Sequence, residues 1–150
     1  MRLLSLELYN FRPFYGLSET IQFAQSDQRN VTVIIGNNGC GKTALLNALT
    51  WVLYEKFSDA LAAPEHLVNR RAIREASIGD PVQCWVQLNF EHHGRRKYRI
   101  KRVREVKKTD GEGNYEITNE SVLLESAGED GRWQKIEEVK ATINRILPED

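Results

Sequence analysis

The stretch Val31-Thr32-Val33-Ile34-Ile35-Gly36-Asn37-Asn38-Gly39-Cys40-Gly41-Lys42-Thr43 decides how this chain folds. Its last eight residues, Gly36–Thr43, match G-x-x-x-x-G-K-[ST], the phosphate-binding loop called Walker A. The β-branched residues before the loop predict a buried parallel strand over Val31–Ile35, and the residues after it predict a helix over Ala44–Tyr54. A strand, a glycine loop and a helix in this order form the context in which such a loop binds phosphate.

The residue types of the loop suit a nucleoside triphosphate. We expect Gly36, Gly39 and Gly41 to take backbone angles that a Cβ forbids, so that successive N–H groups can surround phosphate oxygens. The positive end of the following helix dipole points at the same anion. Lys42 is the candidate catalytic cation, reaching the β- and γ-phosphates, and the Thr43 hydroxyl is the candidate Mg²⁺ ligand. The predicted cofactors are therefore ATP and Mg²⁺.

The same residues permit a second interpretation. Gly39–Ala44 also fits G-x-G-x-x-[GA], the dinucleotide fingerprint of NAD-binding folds. That pattern leaves Gly36 and the pair Lys42-Thr43 without a role, and no clear second strand ending in an acid follows about 20 residues later. Stabilisation by Mg·ATP but not by NAD in a melting assay separates the two interpretations.

Length and composition indicate one globular domain. The chain has 150 residues, enough for a real core, and apolar and charged fractions of 41% and 28%, which are ordinary values. It holds no apolar run long enough to cross a membrane, and its start lacks a signal-peptide pattern. Cys40 and Cys84 have no metal or redox spacing, and a disulfide at Cys40 would obstruct the loop. We therefore expect a reducing, cytoplasmic setting.

Most of the remaining chain predicts an antiparallel sheet. Apolar alternation predicts strands at Leu4–Leu8 and Val82–Phe90. We also expect a hairpin partner for the first at Glu19–Phe23, a return strand for the second over Arg95–Val106 across a His92-His93-Gly94 turn, and a further strand at Ile117–Glu125. Leu67–Ile73 permits a strand or a short helix. Ile136, Val139, Ile143, Ile146 and Leu147 recur at helical spacing and predict a final helix. The predicted fold class is α/β: a P-loop nucleotide-binding lobe with a substantial antiparallel β-subdomain.

Positive charge is concentrated in one predicted strand. The formal net charge is zero, yet nine of the 21 Lys and Arg residues fall between positions 95 and 108. They are Arg95, Arg96, Lys97, Arg99, Lys101, Arg102, Arg104, Lys107 and Lys108. The first seven are candidate DNA-backbone contacts, since each neutralised phosphate releases counterions. The alternative is a solvated strand face whose charges protect a sheet edge. We expect Trp51, Trp85 and Trp133 to be packing residues.

One part of an ATPase is missing from the pattern. Hydrolysis requires an acid that holds Mg²⁺ at the end of a buried strand and a group that positions water. After Thr43 no run of four apolar residues ends in Asp or Glu; the segment Val122–Glu125 comes nearest, inside the predicted antiparallel section. We therefore expect the 150 residues to be part of a larger protein.

The motifs together carry a family resemblance. The opening Leu8–Arg12 (Leu-Tyr-Asn-Phe-Arg), its spacing to the phosphate loop and the loop itself resemble the N-terminal lobe of an SMC/RecF-type ABC ATPase head. Within that family, Asn30–Thr43, Leu45–Tyr54 and Leu67–Asn69 are most similar to the DndD branch, the ATPases of DNA phosphorothioation (DNA sulfur modification). An SbcC-like branch, which partners a repair nuclease, is the alternative.

The resemblance implies a split site. Residues 1–150 would form the N-terminal lobe, while a coiled coil and a C-terminal lobe with the signature motif and Walker B would lie elsewhere. Asn37, Asn38, Cys40 and Ala44 would join the glycines, Lys42 and Thr43 around the triphosphate, and Arg12 would lie near the nucleotide. The implied partners are ATP, DNA, a C-terminal lobe in cis, a second head in trans as a homodimer, and other proteins of the modification system.

The predicted activity follows from this division. The full-length protein is expected to hydrolyse ATP, whereas the isolated chain is expected to bind ATP but hardly to turn it over. Two other functions remain open. One is an ATP-dependent protein-assembly module that does not touch DNA. The other is a stand-alone kinase-like P-loop enzyme, which would need an acid and a substrate lid that the sequence does not convincingly provide.

Overall fold

A seven-stranded antiparallel sheet forms the centre of the computed structural model, which describes residues 1–28, 30–59, 66–92 and 96–147. The strand order is β2-β1-β4-β5-β6-β7, with β3 also paired to β1. The strands are β1 (Arg2–Phe11), β2 (Phe14–Leu17), β3 (Ile21–Gln22), β4 (Pro81–His92), β5 (Arg96–Lys108), β6 (Tyr115–Ala127) and β7 (Trp133–Ile136). The helices are α1 (Lys42–Tyr54), α2 (Arg70–Glu75) and α3 (Val139–Ile146). The result agrees with the predicted α/β class.

Three long strands, β4, β5 and β6, form the middle of the sheet, and β4 follows the predicted alternation most closely. The β4–β5 ladder runs without a break from the pair Pro81 and Lys107 to the pair His92 and Arg96. Every second residue of β4 from Val82 to Phe90 is buried, which confirms the predicted strand. His93, Gly94 and Arg95 lie outside the described residues.

The helices α1 and α3 cover one face of this sheet. Helix α1 contacts β4, β5 and α3, and α3 also contacts β6. Trp51 of α1 is 1% exposed, and its ring lies 5.7 Å from that of Phe11, centroid to centroid. The core on this face also includes Val52, Leu88, Ile100, Leu124 and Ile143. The predicted helix Ala44–Tyr54 is confirmed, and no helix in the described ranges is long and apolar enough to cross a membrane.

The N-terminal segment is more finely divided than predicted. The opening strand pairs with two short strands: β2 opposite Tyr9 and Phe11, and β3 opposite Ser5 and Leu6. The predicted partner at Glu19–Phe23 is thus reduced to β3. Between β1 and β2 the chain reverses so sharply that Asn10 and Arg12 take φ angles of 47° and 53°, in the left-handed region.

The predicted strand over Val31–Ile35 is wrong. The segment has no regular secondary structure and no strand partner, and Val31, Val33 and Ile35 are 75%, 73% and 90% exposed. An apolar strand of this kind needs neighbours that take its N–H and C=O groups and bury both of its faces. Within the described residues the sheet is antiparallel throughout, and none of its strands pairs with this segment.

The C-terminal part differs from the prediction by one strand. The predicted strand Ile117–Glu125 lies within β6, but β7 was not foreseen, and Ile136 belongs to it because it pairs with Leu124. Helical spacing placed Ile136 on the final helix, since one apolar residue three positions before Val139 fits that period. The helix itself begins at Val139 and buries Ile143 and Ile146 as predicted.

Replacing Trp51 by Ala is expected to cost about 3–5 kcal/mol of the free energy of unfolding, because a large aromatic leaves a cavity in the core. The matched control is Trp133→Ala, since Trp133 is 39% exposed and its contact with Arg99 lies at the surface. We expect that control to change the free energy by about 1 kcal/mol or less. Urea unfolding measures both variants, and equal losses would contradict this assignment of the core.

Candidate nucleotide-binding cleft

The phosphate loop lies between the exposed segment 31–35 and helix α1. Gly39 and Gly41 have φ angles of 83° and 99°, in the left-handed region that a Cβ disfavours, as predicted. Gly36 serves another purpose: it is absent from the positive-φ residues of the described chain, but a Cβ there would lie 2.4 Å from Cys40 Sγ. The prediction that it supplies an unusual backbone angle is therefore wrong, and its role is to leave space for Cys40.

Lys42 folds back over the loop. Its Nζ donates hydrogen bonds to the carbonyl oxygens of Gly36 at 2.7 Å and Asn37 at 2.8 Å. An ammonium group has three donors, and the third contact here, to Cys40 Sγ at 4.0 Å, is long, so that donor can turn to an anion at the same place. The two carbonyls thus hold the positive charge at the centre of the loop.

The first turn of α1 faces the same space. Gly41 is its N-cap, with no side chain to occupy the first N–H groups, and the first helical hydrogen bond runs from Leu45 N to Gly41 O at 3.0 Å. The unpaired N–H groups of such a turn bind anions, aided by the helix dipole. Thr43, the second residue of the helix, is exposed beside them.

Gly41 also fixes the loop against the turn after β1. A Cβ at this position would lie 3.1 Å from both Pro13 Cγ and Phe14 Cζ. The phosphate loop therefore packs directly on the residues that follow Arg12. This close approach places the predicted Asn-Phe-Arg motif next to the loop.

The turn after β1 is in turn joined to residues 67–69. Arg12 N donates to Leu67 O at 2.7 Å, and Asn69 N donates to Asn10 O at 2.7 Å. The Asn69 side chain adds a third bond, Nδ2 to Arg12 O, at 2.7 Å. A further bridge pairs Phe11 with Val68. The Leu67–Asn69 segment is thus extended, and it forms one hydrogen-bonded unit with residues 10–12.

Asn69 ends this unit and begins α2. Its Oδ1 accepts from Arg71 N at 2.9 Å and Ala72 N at 3.2 Å, the pattern of an N-cap. The short helix carries Arg70, Arg71 and Arg74 to the wall opposite the phosphate loop. No sequence motif marks these arginines; an Asn followed directly by two arginines is the available signal.

The two walls enclose a cleft of about 750 Å³. The residues that line it are Arg12, Pro13, Asn38, Gly39, Gly41, Lys42, Thr43, Ala44, His66, Val68, Asn69, Arg70, Arg71 and Arg74. Five of these described residues carry a permanent positive charge and none is a carboxylate. Arg12 therefore lies in the same cleft as Lys42, and its Nη1 donates to His66 O at 3.0 Å.

Arg71, which lines the cleft, forms an ion pair with Glu75, which does not line it. Arg71 Nε donates to Glu75 Oε1 at 2.7 Å, and its guanidinium lies 4.3 Å from the centre of the Tyr15 ring. Tyr15 donates its hydroxyl hydrogen to the same carboxylate. These bonds, first that from Tyr15 and then that from Arg71, lower the pKa of Glu75, while the bond to Glu75 raises the pKa of Tyr15. Glu75 and Tyr15, the latter on β2, therefore restrain the Arg71 side chain.

The predicted basic strand, β5, divides its charges between two faces. Arg102 and Arg104 lie on the helix-covered face: Arg102 Nη1 contacts Glu55 at 3.2 Å, and Arg104 forms an ion pair with Glu120. Burial lowers the pKa of Arg102. Their direct access to a polyanion is therefore restricted.

Three other cations of β5 lie on the opposite, solvent-facing side. Arg99 contacts Glu125 at 2.7 Å and lies 4.6 Å from the centre of the Trp133 ring, while Lys101 lies 3.9 Å from that of Trp85. Lys97 is exposed, as is Arg96 at the beginning of the strand. Glu125, the nearest candidate for a Walker B acid, is thus engaged on the outer sheet face and does not line the cleft.

Known proteins share parts of this sequence and this fold. A family model described as an AAA domain matches residues 5–149. The chain belongs to this AAA-domain family. The SbcC component of nuclease SbcCD from Staphylococcus aureus strains JH9 and Newman is 41% identical over 58 residues, which is 39% of this chain and 6% of the relative. The AAA-domain chain thus matches only a small fraction of these curated relatives.

A solved structure extends the likeness to the whole fold. It comes from work on ATP-driven dimerization and DNA-stimulated activation of SMC ATPases. It superimposes with a TM-score of 0.56 at 20% identity and covers 98% of this chain and 78% of that one. The fold is therefore that of a P-loop lobe of the SMC head type, in agreement with the predicted class.

Alkylation is expected to distinguish the two free cysteines. Cys40 is exposed in the phosphate loop, whereas burial raises the pKa of Cys84 to about 12. Iodoacetamide should therefore label Cys40 alone in the native protein, and bound Mg·ATP should slow the reaction. Mass spectrometry locates the label, with Cys40→Ser as the control that abolishes it. Native labelling of Cys84 would contradict the burial of β4.

Proposed function

We propose that this chain is the ATP-binding N-terminal lobe of a DNA-acting, SMC-like ATPase. The observation that carries the proposal is the cleft, where Lys42 is held at the centre of a glycine loop opposite an arginine-lined wall. A group of cations in a concave site, with no carboxylate among the described lining residues, favours a ligand with several negative charges. A nucleoside triphosphate has that charge and a size that suits the cleft.

Each wall contributes a separate part of phosphate binding. Lys42 and the first N–H groups of α1 hold the β- and γ-phosphates, and Arg12, Arg70 and Arg74 add charge from the opposite wall. The Thr43 hydroxyl, exposed beside Lys42, is an oxygen donor of the kind that Mg²⁺ prefers, and the phosphates and water would supply the remaining ligands. When bound, the ion neutralises charge that develops on the phosphate oxygens.

The exposed apolar segment Val31–Ile35 supports a split head. Its high exposure leaves apolar surface and backbone groups open to a neighbouring strand. We propose that a C-terminal lobe supplies that strand in cis, together with Walker B and the signature motif. A second head would then close the ATP site in trans, so the assembled protein would be a homodimer that hydrolyses ATP in the cytoplasm.

The branch within this class is proposed on two different observations. Similarity of Asn30–Thr43 and Leu67–Asn69 to DndD supports a role in DNA phosphorothioation, with other proteins of that system as partners. The 58-residue match to the SbcC component of nuclease SbcCD supports the alternative of a nuclease-partner ATPase. Measuring phosphorothioate in the DNA of a deletion strain separates them, since loss of the modification is expected only for the first.

Lys42→Ala is expected to abolish stabilisation of the full-length protein by Mg·ATP, because the cation at the centre of the loop is lost. At a ligand concentration 100 times the dissociation constant, the wild type should gain about 2.7 kcal/mol. Thermal melting measures the shift, and Lys140→Ala, an exposed site on α3, is the matched control. NAD should stabilise neither protein.

Hydrolysis provides the second measurement for this site. The purified 150-residue chain is expected to bind Mg·ATP and to release almost no phosphate, whereas the full-length protein should turn ATP over. Rapid hydrolysis by the 150-residue chain, abolished by Lys42→Ala, would show that the site is complete without a second lobe.

DNA binding through the outer face of β5 is expected to weaken with salt. Each phosphate neutralised by Lys97, Arg99 or Lys101 should contribute about −0.9 to the slope of log affinity against log salt. Lys97→Ala and Lys101→Ala should each reduce that slope by about one, while Lys140→Ala should leave it unchanged. Fluorescence anisotropy with duplex DNA measures the slope. A salt-independent affinity would favour an assembly module that does not touch DNA.

A further inference from the structure

A buried lysine lies behind the arginine wall. Lys108, the last residue of β5, is 8% exposed, and its Nζ donates to Arg74 O at 3.0 Å and Ala76 O at 2.8 Å. Burying an ammonium group is costly unless hydrogen bonds replace its water. Lys107, its neighbour in sequence, is exposed instead. The burial of Lys108 therefore calls for a specific role.

The two carbonyls that Lys108 contacts belong to the C-terminal end of α2. The last carbonyls of a helix have no partners within the helix, so an ammonium group satisfies them and favours the negative end of its dipole. The backbone returns the contact, since Gly79 N donates to Lys108 O at 2.9 Å. The last residue of β5 therefore forms hydrogen bonds both with the C-terminal end of α2 and with Gly79, which follows it.

The neighbouring strand β6 contacts the N-terminal end of the segment that carries α2, at His66. Tyr115, which pairs with Lys108 across the β5–β6 ladder, has its hydroxyl 2.8 Å from His66 Nδ1. The carbonyl of His66 in turn accepts from Arg12 Nη1. One pair of residues at the turn end of the β5–β6 hairpin thus contacts both ends of residues 66–76, the segment that carries the arginine wall.

We propose that Lys108 is a positioning residue for nucleotide binding. By fixing the C-terminal end of α2, its ammonium group keeps Arg70 and Arg74 directed into the cleft opposite Lys42. This inference rests on the proposed ATP-binding function. It adds that the antiparallel subdomain sets the affinity of the phosphate site through contacts to the backbone of α2, without touching the nucleotide.

Lys108→Met in the full-length protein tests the role, because it keeps the length of the side chain and removes its donors. We expect the dissociation constant for Mg·ATP, measured by calorimetry, to rise about fivefold or more as the arginines lose their fixed position. Lys108→Arg should restore most of the affinity, and Lys107→Met is the matched control with no effect. Unchanged affinity in Lys108→Met would overturn the proposal.

A double-mutant cycle separates positioning from a general loss of stability. In a background of Arg70→Ala and Arg74→Ala, Lys108→Met should weaken Mg·ATP binding by less than about twofold, because residues that act through one another are not additive. An equal loss in both backgrounds would mean that Lys108 acts on folding and not through the arginines. Should Lys108→Met fail to fold, Lys108→Gln, which keeps a donor but removes the charge, takes its place in the cycle with the same expectation.

The affinity of Lys42→Ala for Mg·ATP distinguishes failure of the proposed ATP-binding function from failure of the positioning role of Lys108. If Lys42→Ala still binds Mg·ATP with wild-type affinity, the proposed function fails, whatever Lys108 does. If Lys42→Ala abolishes binding and Lys108→Met has no effect, only the positioning role fails. Hydrogen exchange of the α2 amides gives an independent reading, since Lys108→Met should accelerate it while Lys107→Met should not.

Discussion

The backbone hydrogen bonds between Asn10–Arg12 and Leu67–Asn69 are the constraint on which the cleft depends. They join the end of the first strand to a segment more than fifty residues later. Because Gly41 packs on Pro13 and Phe14, the same unit also holds the phosphate loop. One set of bonds thus positions both walls. The left-handed φ angles of Asn10 and Arg12 are a strain that this pairing offsets.

The molecule uses its cations in two different ways. In the cleft, arginines and Lys42 line one concave surface, and no carboxylate lines it among the described residues. In β5, arginines of the same type are paired with Glu55, Glu120 and Glu125 or lie over tryptophan rings. The concentration of charge in the sequence therefore does not coincide with the cleft, where five cations and no carboxylate line one concave surface among the described residues. For this reason we propose the cleft, and not β5, as the principal anion site.

The elements that the sequence predicted well are those whose pattern is local. The loop, α1, β4 and α3 follow from glycine spacing, a 3.6-residue period or strict alternation, all of which act within a dozen residues. The strand over Val31–Ile35 failed because strand formation depends on a neighbour that the pattern cannot supply. Strand β7 was missed because four residues after a turn carry little periodic signal. The arginines of α2 were missed since no motif marks a residue that acts by facing a loop far away in sequence.

By itself, the sequence determined the chemistry of the phosphate loop: Gly39, Gly41 and Lys42 are the residue types that a tight anion-binding turn requires, whatever surrounds them. It also determined the antiparallel subdomain, because alternation over β4 and β5 buries one face only. The tertiary structure alone decided that the α2 arginines join Arg12 and Lys42 in one cleft, and that Lys108 contacts the end of α2 behind them. The physical reason is that these contacts are hydrogen bonds to backbone groups distant in the chain, and backbone groups are the same in every residue.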